Sequence, residues 1–354
     1  MTHFEKIAAR LNDRGLDAML ITSDPGEFYA MGFHGEGAAL ITPDKTWYYT
    51  DSRYIEAAQQ QIAGAEVADW ASGGSFRKLI AGLVKEHNIA KLGFEEKYMS
   101  VASHTDWTKE VEAEFVPASE LLTTLRQVKD ADELAAMREA QRITDEALLE
   151  ILNFIRPGLT ESEVAARLTY IMARKGAERN SFDPIVACGP NGSKPHAVPG
   201  PAVIEKGQFV TMDFGCVVGG YCSDMTRTVA VGKPTEEMEL VYNTVLKAQL
   251  AGIAVAKAGV TGKEVHEAGA KVIADAGYGE YFGHGFGHSL GIEIHEDPGF
   301  HTRNDKPIPA GALLSAEPGI YLPGRFGVRI EDVIMLTEGG CIDITRSPKQ
   351  LIIL

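Results

Sequence analysis

Two stretches of the chain repeat one order of signals, and this repetition constrains the fold more than any other feature. Gly158-Leu159-Thr160, followed by Glu163-Val164, matches Gly259-Val260-Thr261 followed by Glu264-Val265, 101 positions further on. In each copy a threonine with a glutamate three residues later can close a capping box at a helix start. Downstream, Thr211-Met212-Asp213-Phe214-Gly215 matches Ser315-Ala316-Glu317-Pro318-Gly319, 104 positions on. Similar offsets in the same order predict an internally duplicated domain, each half a helix pair followed by hairpins. Helical periodicity over 129–155 and 235–258, with strand and glycine-turn texture over 182–231 and again towards the C-terminus, fits that plan.

The first third has a different texture. Residues 1–15 read as an amphipathic helix, 18–22, 38–42, 46–50 and 91–94 as strands, and 52–61 and 76–87 as helices. This is a small α/β unit, so domains are expected at 1–125 and 126–354. A length of 354 residues suits two domains. Residues 1–15 lack the basic start and apolar core of a secretory signal. Cys188, Cys216, Cys222 and Cys341 form no C-x-x-C pair, so free thiols in a reducing cytoplasm are expected.

Acidic residues outnumber basic ones 49 to 34, a net charge of −15. Such a surface repels phosphate backbones, which argues against nucleic acid as the partner. No apolar run reaches the roughly 18 residues of a membrane span, so no membrane partner is expected. Some of the acid, however, lies in apolar strands. A hairpin over 207–231 turning between Val218 and Gly219 would set Asp213 opposite Asp224 on one face. A second hairpin centred on Gly324 would set Glu317 opposite Glu331. A solvated face would explain any single carboxylate. Two pairs in matching halves of a duplication, set in apolar segments, instead imply hard oxygen ligands around divalent metal, most simply two ions.

A nitrogen donor should complete such a site. His284-Gly285-Phe286-Gly287-His288 and Ile294-His295-Glu296 place three histidines close together, and His196 lies in a Gly/Pro-rich loop. The spacing is not H-E-x-x-H, so a zinc-helix mechanism does not apply.

The segments Asp213-Phe214-Gly215, Tyr221 to Thr228, His284 to Glu296, Glu317-Pro318-Gly319 and Val328 to Glu331 together resemble the Xaa-Pro peptidases. These are the prolidases and proline aminopeptidases of the pita-bread metallopeptidase family, and the match runs in order from Lys129 onward. The resemblance implies a creatinase-type α/β N-terminal domain followed by an α+β pita-bread catalytic domain with pseudo-two-fold duplication. It implies Asp213, Asp224, His288, Glu317 and Glu331 as ligands of two divalent ions, with Asp224 and Glu331 bridging. Manganese is the expected metal, with cobalt, zinc or iron as alternatives.

The implied activity is a dinuclear exopeptidase that hydrolyses Xaa-Pro bonds with a metal-bridging hydroxide. Glu317 would be the proton shuttle, and His284 and His295 would stabilise the oxyanion. His196 and Arg329 would complete the substrate contacts, His196 on the proline side. Small peptides with proline second are the expected partners, and a homodimer the expected assembly. Phe286 departs from the smaller aliphatic residue usual there. Gly299 stands where dipeptidase members often carry an arginine, which leaves Arg303 and Arg325 as candidates for gripping a product carboxylate. Asp332 reads as a structural partner for a neighbouring base. A methionine aminopeptidase-like enzyme and a catalytically inactive peptide-binding relative remain alternatives.

Overall fold

The computed structural model describes residues 1–354, the side chain of Ser72 excepted. It divides into two compact units, Met1–Arg126 and Gln127–Leu354. The first is built on a six-stranded mixed sheet, in the order Glu66–Asp69, Thr46–Thr50, Ala38–Ile41, Ala18–Ile21, Lys91–Phe94 and Glu114–Pro117. The inner strands are buried along their length, with Lys91 the one exposed residue, as a sheet covered on both faces requires.

Both terminal strands of this sheet escape the hydrophobic pattern. Glu66–Asp69 and Glu114–Pro117 are partly exposed and carry charge, and parallel pairing to a neighbour makes them strands. Three helices escape it as well: Ser119–Gln127, and Asp24–Met31 and Val101–Glu110, the latter two each opened by a serine side chain that caps its first turn. The expected 1–15 helix is shorter. It spans His3–Ala8, and a 3₁₀ turn at Asn12–Arg14 ends on left-handed Gly15, because Asn12 and Asp13 favour turns.

The second unit repeats itself. Helices Ala131–Ile151 and Glu161–Arg174 precede a sheet whose central strand, Gln208–Phe214, is flanked by Ile185–Cys188 and Met225–Val231. Helices Glu236–Val255 and Gly262–Asp275 precede a sheet in which Leu313–Ala316 lies between Gly287–Ser289 and Asp332–Thr337. Both capping boxes form, Thr160 with Glu163 and Thr261 with Glu264. The residues just before each box pair with an extended segment in the same way, at Ile204 and at Ile308. The duplication is therefore topological as well as sequential.

The two hairpins differ in how well their turns can be read. Around Gly324 the pairs Gly319↔Arg329, Leu322↔Phe326 and Ala316↔Asp332 all keep the expected register. Glu317 and Glu331 sit between these ladders, and their N–H groups donate elsewhere, to the Phe286 and Thr226 carbonyls respectively. In the first hairpin the turn falls on Gly219-Gly220, both at positive φ, one residue later than expected. That shift moves every partner by two. Asp213 faces Thr226, and Asp224 lies diagonally from it, just before the Met225–Val231 strand. The left-handed preference of paired glycines decides the turn.

Phe286 is fully buried and packs edge-to-face on Phe300. A Cβ at Gly252 or at Gly269, on the two helices of the second half, would strike its ring. The glycines thus make the notch that accepts the larger side chain, and the ring pegs the segment between His284 and His288. Gly252→Ala or Gly269→Ala should each lower stability by about 1–3 kcal/mol through overpacking. Combining either with Phe286→Leu should return part of that loss, measured by urea unfolding of single and double variants.

Candidate metal and substrate site

The two sheets of the second unit bring their carboxylates to one cavity of about 480 Å³. Its wall includes Asp213, Asp224, Glu317 and Glu331, all from the hairpins, with His284, His288 and His295 from the glycine-rich stretch. His196, Tyr321 and Arg329 also line it. Of the residues singled out from sequence as ligands or as substrate or product contacts, all but Arg325 border this one cavity.

Asp213 is held from the central strand of the first half, where its Oδ2 accepts from Arg329 Nη2 at 2.6 Å. Arg329 Nε donates to Thr226 Oγ1 at 2.9 Å, and the Thr226 hydroxyl donates to Glu331 Oε2 at 2.8 Å. On the opposite side Ser315 Oγ accepts the His288 N–H and donates to Glu317 Oε1, both at 2.9 Å. His288 Nε2 lies 3.1 Å from Glu317 Oε1 and 3.6 Å from Asp224 Oδ2. Its Nδ1 faces the Ser289 carbonyl at 3.1 Å, which fixes the ring and leaves Nε2 for the cavity.

Three carboxylate oxygens in this cluster, Asp213 Oδ1, Asp224 Oδ1 and Glu331 Oε1, are buried with no hydrogen-bond partner. Donor atoms of Asp224, His288 and Glu331 all lie within 4.8 Å of one another. Burial, then the charges of Glu331, Asp213 and Glu317, push the Asp224 carboxyl well above the usual carboxylate range. Burial, then Glu317 and Asp213, do the same to Glu331. Burial also acts on Glu317, but the His288 hydrogen bond and charge overcome it and hold that carboxyl at about 2. Orphaned oxygens and one imidazole form a hard, mostly oxygen donor set, and these residues fit divalent cations.

The histidines are not equivalent. His284 uses both ring nitrogens, Nδ1 with the Gly285 carbonyl at 2.7 Å and Nε2 with the Tyr321 hydroxyl at 2.9 Å. Tyr321 in turn accepts from Arg329 Nη1 at 2.9 Å. His295 is exposed, stacks its ring edge on His288 at 4.4 Å, and makes no hydrogen bond among the described residues. His196 is exposed at the cavity rim. Arg303 lines the cavity, whereas Arg325 pairs with Glu237 at the surface. Asp332 is bound by Arg227 at 2.7 Å and by Gln249 and Lys349, behind the site.

Sequence reasoning misses Thr226, Ser315 and Tyr321. A turn placed at Gly219-Gly220 would have revealed Thr226 opposite Asp213. For Ser315 and Tyr321 only their place beside Glu317 in the second hairpin offered a signal.

This is the site of a metallopeptidase fold, and the comparisons say which. Residues 135–338 match Metallopeptidase family M24 and residues 4–128 match the Creatinase/Prolidase N-terminal domain, so the chain belongs to family M24 with that N-terminal domain. An Xaa-Pro dipeptidase from Bacillus anthracis superposes with a TM-score of 0.96 at 44% identity, over 99% of both chains. An X-Pro aminopeptidase from Thermotoga maritima gives a TM-score of 0.92 at 36% identity, over 98% of this chain and 100% of its own. An Xaa-Pro dipeptidase of Pyrococcus horikoshii is 33% identical over 98% of both chains.

Raised carboxyl pKa values mean that the folded chain without metal binds protons that the unfolded chain releases. Its stability therefore falls as the pH climbs from the ordinary carboxylate range through the raised values of Asp224 and Glu331. Divalent metal must displace those protons, so the rise in Tm on adding manganese should be larger near about pH 8 than near about pH 5. At a hundredfold excess over Kd the gain should approach about 2.7 kcal/mol, read by thermal unfolding across a metal and pH grid.

Proposed function

We propose that the chain is a dinuclear metal-dependent exopeptidase that hydrolyses Xaa-Pro peptide bonds in small peptides. One observation carries the chemistry: three orphaned carboxylate oxygens converge with His288 and Glu317 in a single cavity. Relatives named Xaa-Pro dipeptidase and X-Pro aminopeptidase, matched along nearly the whole chain, support the substrate class.

In this reading Asp213, Asp224, His288, Glu317 and Glu331 would hold two divalent ions. Manganese is the favoured metal. Bound there, the ions supply a water of lowered pKa and polarise the scissile carbonyl. Glu317 borders the cavity beside His288 and would take the proton released by the attacking water. The leaving proline nitrogen carries no hydrogen in the peptide and must gain one, which Glu317 returns. His295 offers unengaged ring nitrogens to the substrate carbonyl and its developing oxyanion. His284 joins it by exchanging its Tyr321 partner for that carbonyl.

Arg329 ties Asp213 to the Thr226–Glu331 pair and keeps the carboxylates apart from one another. His196 takes the proline side. Arg303, which lines the cavity, is better placed than Arg325 to meet a product carboxylate. Four free cysteines suit a reducing cytoplasm, and among the described residues no helix is long and apolar enough to cross a membrane. A homodimer and the 1–125/126–354 domain division complete the reading.

Elemental analysis of purified protein, with turnover of Ala-Pro against an Ala-Pro-Xaa tripeptide, tests this. Stoichiometric divalent metal with proline-dependent cleavage is expected, and protein that binds no divalent metal would refute the reading. Cleavage of the dipeptide alone would identify a dipeptidase. Asp213→Asn should cut kcat by on the order of a hundredfold or more. Full activity in that variant would remove Asp213 from the ligand set.

A further inference from the structure

Among the described residues, His295 lines the cavity without a hydrogen bond to hold its ring. The one ring contact it makes is with His288, edge to face at 4.4 Å. Its aim must therefore come from the backbone that carries it. That backbone is fastened one residue on, at Glu296, which opens the Glu296–Phe300 strand.

The Glu296 side chain is 5% exposed and accepts from Lys129 Nζ, itself 1% exposed, at 3.0 Å. Its other oxygen accepts the Glu293 N–H at 3.2 Å, closing the turn ahead of His295. The Gly291 carbonyl of the same segment accepts the Cys222 N–H at 2.7 Å, two residues before Asp224. His295 sits in the bend just ahead of the Glu296–Phe300 strand, so holding Glu296 at Lys129 fixes the end of the backbone that presents His295 to the cavity it lines.

A buried Lys–Glu pair is a poor source of net stability, since packed apolar residues can often replace it at little cost. What apolar packing does not provide is one fixed partner for one carboxylate. We propose that Lys129 is a positioning residue for His295, acting through its buried ion pair with Glu296. The proposal rests on the reading of His295 as a substrate-binding residue. Lys129 touches neither substrate nor reacting atoms; it sets where the residue next to His295 lies.

The test is a kinetic cycle on the metal-loaded full chain, with the Xaa-Pro peptide it turns over best. Lys129→Met, His295→Ala and the double variant are compared by kcat and KM, with manganese binding followed by calorimetry. Lys129→Met should lower kcat about tenfold or more, with KM and manganese affinity within about twofold of the parent. Added to His295→Ala, it should cost no more than about twofold further, because both act through one group. Lys129→Arg, which keeps the cation, should recover most of the loss.

Parental kcat in Lys129→Met, or its full loss multiplied onto that of His295→Ala, would overturn the proposal while leaving His295 in its role. A weakened manganese affinity would overturn it too, by showing general damage to the site. Parental kcat in His295→Ala would instead defeat the reading of His295, and this proposal with it. If Lys129→Met does not fold, Glu296→Gln removes the same ion pair with less change of shape and carries the same cycle.

Discussion

Four carboxylates meet in the interior with too little positive charge to balance them, and the rest of the catalytic unit is arranged around that excess. Asp213, Asp224, Glu317 and Glu331 share one cavity with a single buried arginine, Arg329, and the His288 imidazole. Arg329, Thr226 and Ser315 each satisfy one carboxylate oxygen, and three oxygens stay without a partner. A buried anion that nothing compensates is costly, and it lowers the cost by holding a proton or by meeting a cation. In Asp224 and Glu331, burial and the neighbouring carboxylates push the carboxyl pKa upward, toward the first. The second is the chemistry of the family to which the chain belongs.

Duplication is what makes such a cluster buildable. Each half contributes a carboxylate-bearing hairpin from a sheet backed by a helix pair, and the cavity forms where the two meet. Behind it the support is also charged and buried. Arg227 donates to Asp332, to the Thr226 and Glu331 carbonyls and to the carbonyls of Ser347 and Pro348. The end of the chain is thereby tied to the strand that carries Thr226. Phe286 does comparable work with apolar contact alone, filling the notch left by Gly252 and Gly269.

Much of this was legible in the residues. The capping boxes, the Gly324 turn and the carboxylates in apolar strands rest on local chemistry, and they appear where that chemistry puts them. The first hairpin was misread by one residue, since Val218-Gly219 and Gly219-Gly220 are both plausible turns by composition. In the N-terminal unit the terminal strands were invisible, because pairing with a neighbour rather than their own pattern makes them strands. The roles of the histidines were unreadable as well. Nothing in the spacing of His284 and His295 shows that the first has both nitrogens engaged and the second neither.

By itself the sequence determined which residue types could do the chemistry, how the chain divides into a lead unit and a duplicated one, and which family it resembles. These depend on interactions between residues close in the chain, or on patterns that survive without coordinates. Only the tertiary structure decided which oxygens remain without partners, that Thr226 rather than Asp224 faces Asp213, and that Lys129 reaches Glu296. Those outcomes depend on groups brought together from far along the chain, where a shift of one residue at a turn reverses who meets whom.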